Sequence, residues 1–222
     1  VIRRARSEDV PGIAEAMGAA FEDDPVVAWF WRRPSRRRER VAGWYDLVAR
    51  THYLEHGEVF VAEEEGEIAG CAMWSRPGSW RLSTRAELAA TRYAVPRLGL
   101  HLPFASVAMR RIEARHPDAR HWYLSELGVR PQSQGRGLGS KLMFEILARC
   151  DHDGVPAYLE SSTERSRALY ERHGFRTTEV LQLPRAGPPL WLMWRASGVP
   201  DEHADPGDDR TAQRDLDERL SE

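Results

Sequence analysis

Two cysteines, Cys71 and Cys150, are all that this chain of 222 residues contains. That is too few for a disulfide scaffold, so both are expected to be reduced, buried thiols. Long apolar runs are missing too. Nothing approaches the roughly 18 to 20 consecutive apolar residues of a membrane span. The first residues lack a basic-then-apolar signal pattern. A cytoplasmic protein without membrane contact is the expectation. The formal net charge is only −2, which gives no electrostatic case for nucleic acid. No internal repeat is visible. The histidines are read as solvated or core residues, and no metal is expected.

What is present describes a globular protein. Hydrophobic residues make up 41% and charged residues 30%, and the length suits one sizeable domain. Eight tryptophans are expected to divide between core and pocket wall. Arginines crowd residues 32 to 40, which read as the solvated start of a helix capped by Ser35 and continued by Val41, Trp44, Tyr45 and Val48. Ile2 to Arg6 reads as a strand, with Ser7 capping a helix that Glu22 to Pro25 ends. Strands are expected at Glu58 to Glu63 and Ile68 to Trp74, joined by a Gly66 turn. Residues 79 to 117 read as a helical insertion, broken at Pro96 and Gly99, and are expected to form a lid over a substrate pocket. Residues 199 to 222 are polar and charged, the composition of a disordered tail. The domain proper is then 1 to 198.

The most informative stretch is Gln134-Gly135-Arg136-Gly137-Leu138-Gly139-Ser140. It lies between a strand-like run ending at Val129 and an amphipathic run carrying Leu138, Leu142, Met143, Ile146 and Leu147. Gly128 inside the strand points to a bulge or a close backbone approach. Three glycines in five residues disfavour both strand and helix, but at their junction they permit positive φ and bare the backbone. Helix-start amides and the helix dipole then attract an anion. The spacing is G-x-G-x-G, so it fails the dinucleotide pattern and the P-loop pattern alike. It does satisfy [RQ]-x-x-G-x-[GA] through Gln134, Gly137 and Gly139. A second motif, Tyr170-Glu171-Arg172-His173-Gly174-Phe175, follows the next strand, Ala157 to Glu160.

Both motifs, in this order, resemble the two signatures of the GNAT superfamily of N-acetyltransferases. Arg4 to Pro11, Ala20 to Pro25 and Gly154 to Glu160 are similar to the puromycin N-acetyltransferase group. The resemblance spans roughly residues 2 to 196 and is more specific for the cofactor half than for the helices that select an acceptor. It implies an α/β (α+β) fold: a mixed, mostly antiparallel sheet of about seven strands with helices on both faces and a splayed central strand pair. It implies acetyl-CoA as co-substrate, with Leu127, Gly128 and Val129 beside the pantetheine and residues 134 to 140 (Gln134, Gly135, Arg136, Gly137, Leu138, Gly139, Ser140) around the pyrophosphate. Tyr170 falls where the superfamily has a general acid, or else packs on the cofactor. Glu126 and Glu160 stand late in the two splayed strands. Either is a candidate base, and Glu160 is also a candidate to bind the acceptor amine. Many members carry Asn seven residues before the Tyr; here Thr163 takes that place, able to cap the helix. The implied partner is a small-molecule amine, antibiotic- or metabolite-like, with a protein N-terminus or lysine as the alternative acceptor. A non-catalytic acyl-CoA-binding module is a third reading, and a homodimer is left open.

Overall fold

The computed structural model describes residues 1–198; the tail expected over 199 to 222 lies outside them. Strand β1 (Ile2–Arg4) leads into helices α1 (Val10–Phe21), α2 (Pro25–Phe30) and α3 (Arg37–Val48). A π-helical stretch, Ala49–Tyr53, runs into the single turn α4 (Leu54–His56). The hairpin β2 (Gly57–Glu64) and β3 (Glu67–Ser75) follows, then α5 (Thr84–Leu98), α6 (Leu102–Glu113) and β4 (Trp122–Val129). The chain continues through α7 (Leu138–Asp153), β5 (Ala157–Ser161), α8 (Glu164–Arg172), β6 (Arg176–Gln182) and β7 (Pro189–Arg195). The seven strands form one sheet in the order β1-β2-β3-β4-β5-β7-β6, antiparallel except for β4 with β5.

Each face of the sheet has its own core. Val10, Ile13 and Met17 of α1 and Tyr45 and Val48 of α3 pack on Val61, Cys71 and Met73. On the other face Leu142, Met143 and Ile146 of α7 meet Ala72, Trp74, Leu124 and Leu159. Both cysteines are buried free thiols. The arginine run does start a helix, as expected, but Ser35 does not cap it: Arg36 holds the cap position without a side-chain bond. Arg37 turns inward instead and donates to the carbonyls of Trp31 and Glu22. The N-cap position of α1 is Asp9, not Ser7. Its carboxylate accepts from the Arg6 amide at 2.7 Å and from the Arg3 guanidinium. Pro96 lies inside α5 instead of ending it, and the helix stops at Gly99, whose φ is +54°. A proline in the last turn removes one ladder bond without needing a break further on.

Two irregularities in β4 position everything that follows. Against β3, Met73 pairs with Glu126 and Trp74 with Leu124. Ser125 is therefore an extra residue, a β-bulge, and of the two readings of Gly128, a bulge or a close backbone approach, the bulge is not at Gly128. An extra residue reverses the alternation of side chains beyond it. Leu124 and Leu127 thus both belong to the α7 side, while Glu126 turns to the α1–α3 side and reaches Tyr45. Against β5, the pairing covers only Trp122–Ala157, Tyr123–Tyr158 and Leu124–Leu159. Beyond Leu124 the two strands part.

Gly128 is where α1 comes closest to the splayed strand. A Cβ there would sit 2.7 Å from Met17 Sδ, 2.9 Å from Phe21 Cε2 and 3.1 Å from Ala20 Cβ. Gly128→Val is expected to destabilise the fold by roughly 1–3 kcal/mol through overpacking, read as a lower urea midpoint and Tm. Parental stability would show that α1 can withdraw without loss.

Candidate active site

The gap between β4 and β5 opens into a cleft of about 580 Å³. Ser125 to Val129 line one side, Glu160, Ser162 and Thr163 the other, and α1, α7 and α8 close it. The two ends differ in charge and chemistry.

One end is built from the glycine turn. Gly135 and Gly137 have φ of +78° and +77°, a region that favours glycine. A Cβ at either would meet no atom within 4 Å, so it is the backbone conformation rather than crowding that requires glycine. Gly139 differs: its Cβ would come within 3.2 Å of Leu169. The first α-helical bond of α7 is Lys141 N to Gly137 O, which leaves the amides just before it free to point into the cleft. Gln134 braces the turn, its side-chain nitrogen donating to Val129 O at 2.9 Å. Ser140 Oγ is 2.8 Å from His173 Nε2. Arg136 is the exception among the expected cradle residues. It does not line the cleft and pairs outward with Glu64 at 3.0 Å. Thr163 caps α8 by accepting from Ser166 N at 3.1 Å, and Arg165 and Arg172 of α8 also line the cleft. A bare helix start beside an unpaired strand edge fits the pyrophosphate and amide-bearing arm of coenzyme A.

The other end holds three carboxylates from three elements. Glu126 on β4 accepts a 2.7 Å hydrogen bond from Tyr45 Oη of α3. Burial pushes its carboxyl up to about 8; the Tyr45 bond opposes that rise, and the charges of Asp24 and Glu160 add to it. Such a group is poised as a base near neutral pH. Glu160 on β5 accepts from Tyr123 Oη at 2.7 Å. Asp24, which caps α2, accepts from the amides of Val26 and Val27 and from the Ser162 hydroxyl across the gap. Its carboxyl too is raised, chiefly by burial. Tyr170 lies between the two ends, buried and lining the cleft. Burial and then the nearby Glu126 and Asp24 charges push its hydroxyl above the ordinary phenol range, so it holds its proton at neutral pH.

The expected site residues therefore converge, apart from the outward Arg136 side chain. Sequence reasoning missed Tyr45 and Asp24. Tyr45 stands 81 residues from its partner, and Asp24 was read as part of a helix end although Asp-Pro is also a helix-start signal. The 79 to 117 insertion contributes no residue to the cleft lining. It packs on α3 through Tyr93 and supports Glu160 from behind through His116. His52 and His56 stand one helical turn apart, but no group of three His, Cys, Asp or Glu suited to a metal occurs among the described residues. Nor, among those residues, is any helix long and apolar enough to cross a membrane.

Removing the Tyr45 hydroxyl removes the bond that lowers the Glu126 carboxyl. Tyr45→Phe is expected to move the acidic limb of the kcat/KM–pH profile to higher pH, cutting activity at pH 7 more than at pH 9. Glu126→Gln carries a stability prediction of opposite sign. A carboxyl raised on folding is destabilising above its unfolded value of about 4.3, increasingly so until about 8. The variant should gain Tm relative to the parent as pH rises across that window, while losing activity. A pH-independent difference in Tm would remove Glu126 from this role.

Residues 19–175 match the model of the acetyltransferase (GNAT) family. A Schizosaccharomyces pombe protein described as an uncharacterized N-acetyltransferase is 28% identical over 207 residues, covering 87% of this chain and 82% of that one. Among solved structures, histone acetyltransferase HPA2 and related acetyltransferase from Corynebacterium glutamicum superposes with a TM-score of 0.68 at 25% identity, over 90% of this chain and 98% of that one. The Salmonella typhimurium protein yncA, a putative acetyltransferase solved with acetyl-CoA, superposes with a TM-score of 0.52 at 22% identity, over 94% and 98% of the two chains. The glycine turn, the splayed strands and the matched family model together place this chain in the GNAT family of acetyl-CoA-dependent N-acetyltransferases.

Proposed function

We propose that the protein transfers an acetyl group from acetyl-CoA to a primary amine of a small molecule, by direct attack of the amine within the cleft. The observation that carries this reading is the pairing of a raised carboxyl, Glu126, with a protonated phenol, Tyr170, in one cleft. An amine reaches the site as an ammonium and must lose a proton before it can attack. Glu126, ionised above about 8 and partly so at neutral pH, takes that proton. Acetyl-CoA supplies an activated thioester. As the carbon–sulfur bond breaks, the thiolate needs a proton, and Tyr170 provides it. The free amides from Gly137 to Ser140 hold the phosphates, and the unpaired edge of Leu127 to Val129 takes the arm.

Glu126 and Tyr170 both count against a binding module without catalysis, since neither is needed to hold coenzyme A. For the acceptor, Phe21, Asp24 and Ser162 line the acidic end of the cleft. The similarity to the puromycin N-acetyltransferase group makes puromycin a sensible member of any amine panel.

Tyr170→Phe is expected to lower kcat by roughly 10²-fold or more while leaving the acetyl-CoA dissociation constant nearly unchanged. Free-thiol release over a panel of small amines and N-terminal peptides measures the first, and calorimetry the second. Unchanged kcat would take the acid role away from Tyr170. Turnover of peptides alone would replace the small-molecule acceptor with a protein one.

A further inference from the structure

The three carboxylates of the acceptor end are not equivalent. Glu126 accepts one side-chain hydrogen bond, from Tyr45. Burial pushes its carboxyl up to about 8, so at neutral pH most of it carries a proton. Glu160 is 9% exposed. Its Oε2 accepts from Tyr123, its Oε1 is buried, and the Tyr158 hydroxyl stands beside it. Its two oxygens are taken or out of reach.

Asp24 is built differently. It stands where α1 passes into α2, half-buried, and lines the cleft. Oδ1 accepts from the amides of Val26 and Val27 at 2.9 and 3.0 Å, and Oδ2 from the Ser162 hydroxyl. Burial raises its carboxyl, and all three donors oppose that rise by favouring the ionised form. A carboxylate has about four accepting positions, so one on Oδ2 stays open. The Ser162 contact is itself held in place. Around the start of α8, Ser166 Oγ lies 2.7 Å from both Ser161 Oγ and Thr163 Oγ1. Those three hydroxyls bond one another, and Ser162 alone crosses to Asp24. A carboxylate fixed from two elements loses little freedom when it takes a ligand. Its charge also reaches Glu126 and Tyr170, the groups read above as base and acid.

We propose that Asp24 Oδ2 anchors the acceptor's ammonium, so that the protein selects amines that arrive charged over neutral isosteres such as alcohols. The ammonium held there favours the ionised form of Glu126. One N–H bond then breaks and its proton passes to the Glu126 carboxylate. The nitrogen is left neutral with a free lone pair, and Asp24 keeps its charge throughout. This rests on the small-amine reading above and names the residue that selects the substrate.

The test is calorimetry on the coenzyme A-loaded protein. It compares the best amine of the panel with the alcohol bearing a hydroxyl in place of the amino group. The parent is expected to bind the amine at least about tenfold more tightly, and Asp24→Asn to bring that ratio towards one. Asn caps a helix as well as Asp does, and its side-chain nitrogen can donate to Ser162 Oγ, so Tm should change little. Glu126→Gln and Glu160→Gln should keep the ratio, the first while losing turnover. These two decide the matter if Asp24→Asn does not fold, because a ratio that survives both leaves Asp24 as the remaining carboxylate of that end. A parent that binds amine and alcohol alike, a ratio that survives Asp24→Asn, or one that collapses in either Gln variant overturns the proposal and leaves the small-amine reading standing. Turnover of peptides, with no small amine bound or acetylated, overturns both.

Discussion

The single extra residue at Ser125 is the constraint on which the site depends. A regular β4 would place Leu124 and Glu126 on one face, against the hydrophobic helix α7. A carboxylate there would be buried among Leu142, Met143 and Ile146 with nothing to bond. The bulge turns Glu126 to the opposite face, where Tyr45 waits at 2.7 Å. It also puts Glu126 on the side of the sheet that Tyr123 and Glu160 share. The parting of β4 from β5 follows immediately after Leu124. Past that point one edge of β4 has backbone donors and acceptors without a neighbouring strand. Buried backbone groups are rarely left orphaned, so this edge calls for solvent or for a ligand bearing amides. The bulge and the splay together bring a carboxyl with a raised pKa and an unpaired strand edge to the same five residues.

The choice of hydroxyl partners for the cleft carboxylates has a chemical reason. An arginine beside Glu126 would hold it ionised well below neutral pH, as Arg3 and Arg6 do for Asp9. A carboxylate held that low takes protons poorly from an ammonium. A tyrosine hydroxyl orients the carboxylate and offsets part of its desolvation without cancelling the rise. The cost is stability. Burying three carboxyls beside one another works against folding, and the two cores on either side of the sheet must offset it. Asp9 and Asp151, outside the cleft, carry arginine pairs instead.

Much of the cofactor end could be read from sequence because its signals are local. The glycine spacing, the amphipathic run after it and the Tyr170 motif each sit within a few residues. The free amides of α7 follow from helix geometry alone. The acceptor end was legible only in part. Glu126 and Glu160 were found because the strands carrying them were found. Tyr45 was seen only as a core position on a helix face, and no short-range pattern says that its hydroxyl meets a carboxylate 81 residues away. Asp24 looked like the end of one helix because two helices meet there; it in fact starts the second. A glycine in a strand is a visible anomaly, and of the two readings it allowed at Gly128, a bulge or a close backbone approach, the close approach of Met17 and Phe21 is the one present. The bulge at Ser125 has no compositional mark. Pro96 and the Ser35 cap failed for the same reason: tertiary contacts at Arg37 and Tyr93 outweighed local propensity.

The opposed charges of the two ends give the cleft a direction. The amides of the glycine turn and the dipole of a 16-residue helix make one end attractive to phosphate. Asp24, Glu126 and Glu160 make the other repel it. A molecule with a pyrophosphate at one end and a neutral thioester at the other therefore enters in one sense only. A cationic amine is drawn the opposite way, toward the carboxylates. The two substrates meet where the charges change sign, and Tyr170 lines the cleft between them. Its hydroxyl feels Glu126 and Asp24 as negative neighbours, which keeps its proton in place at neutral pH. The polarity that orders binding is thus also the polarity that keeps Tyr170 protonated and the Glu126 carboxyl raised, and the position of Glu126 follows from where β4 gains a residue and loses a neighbour.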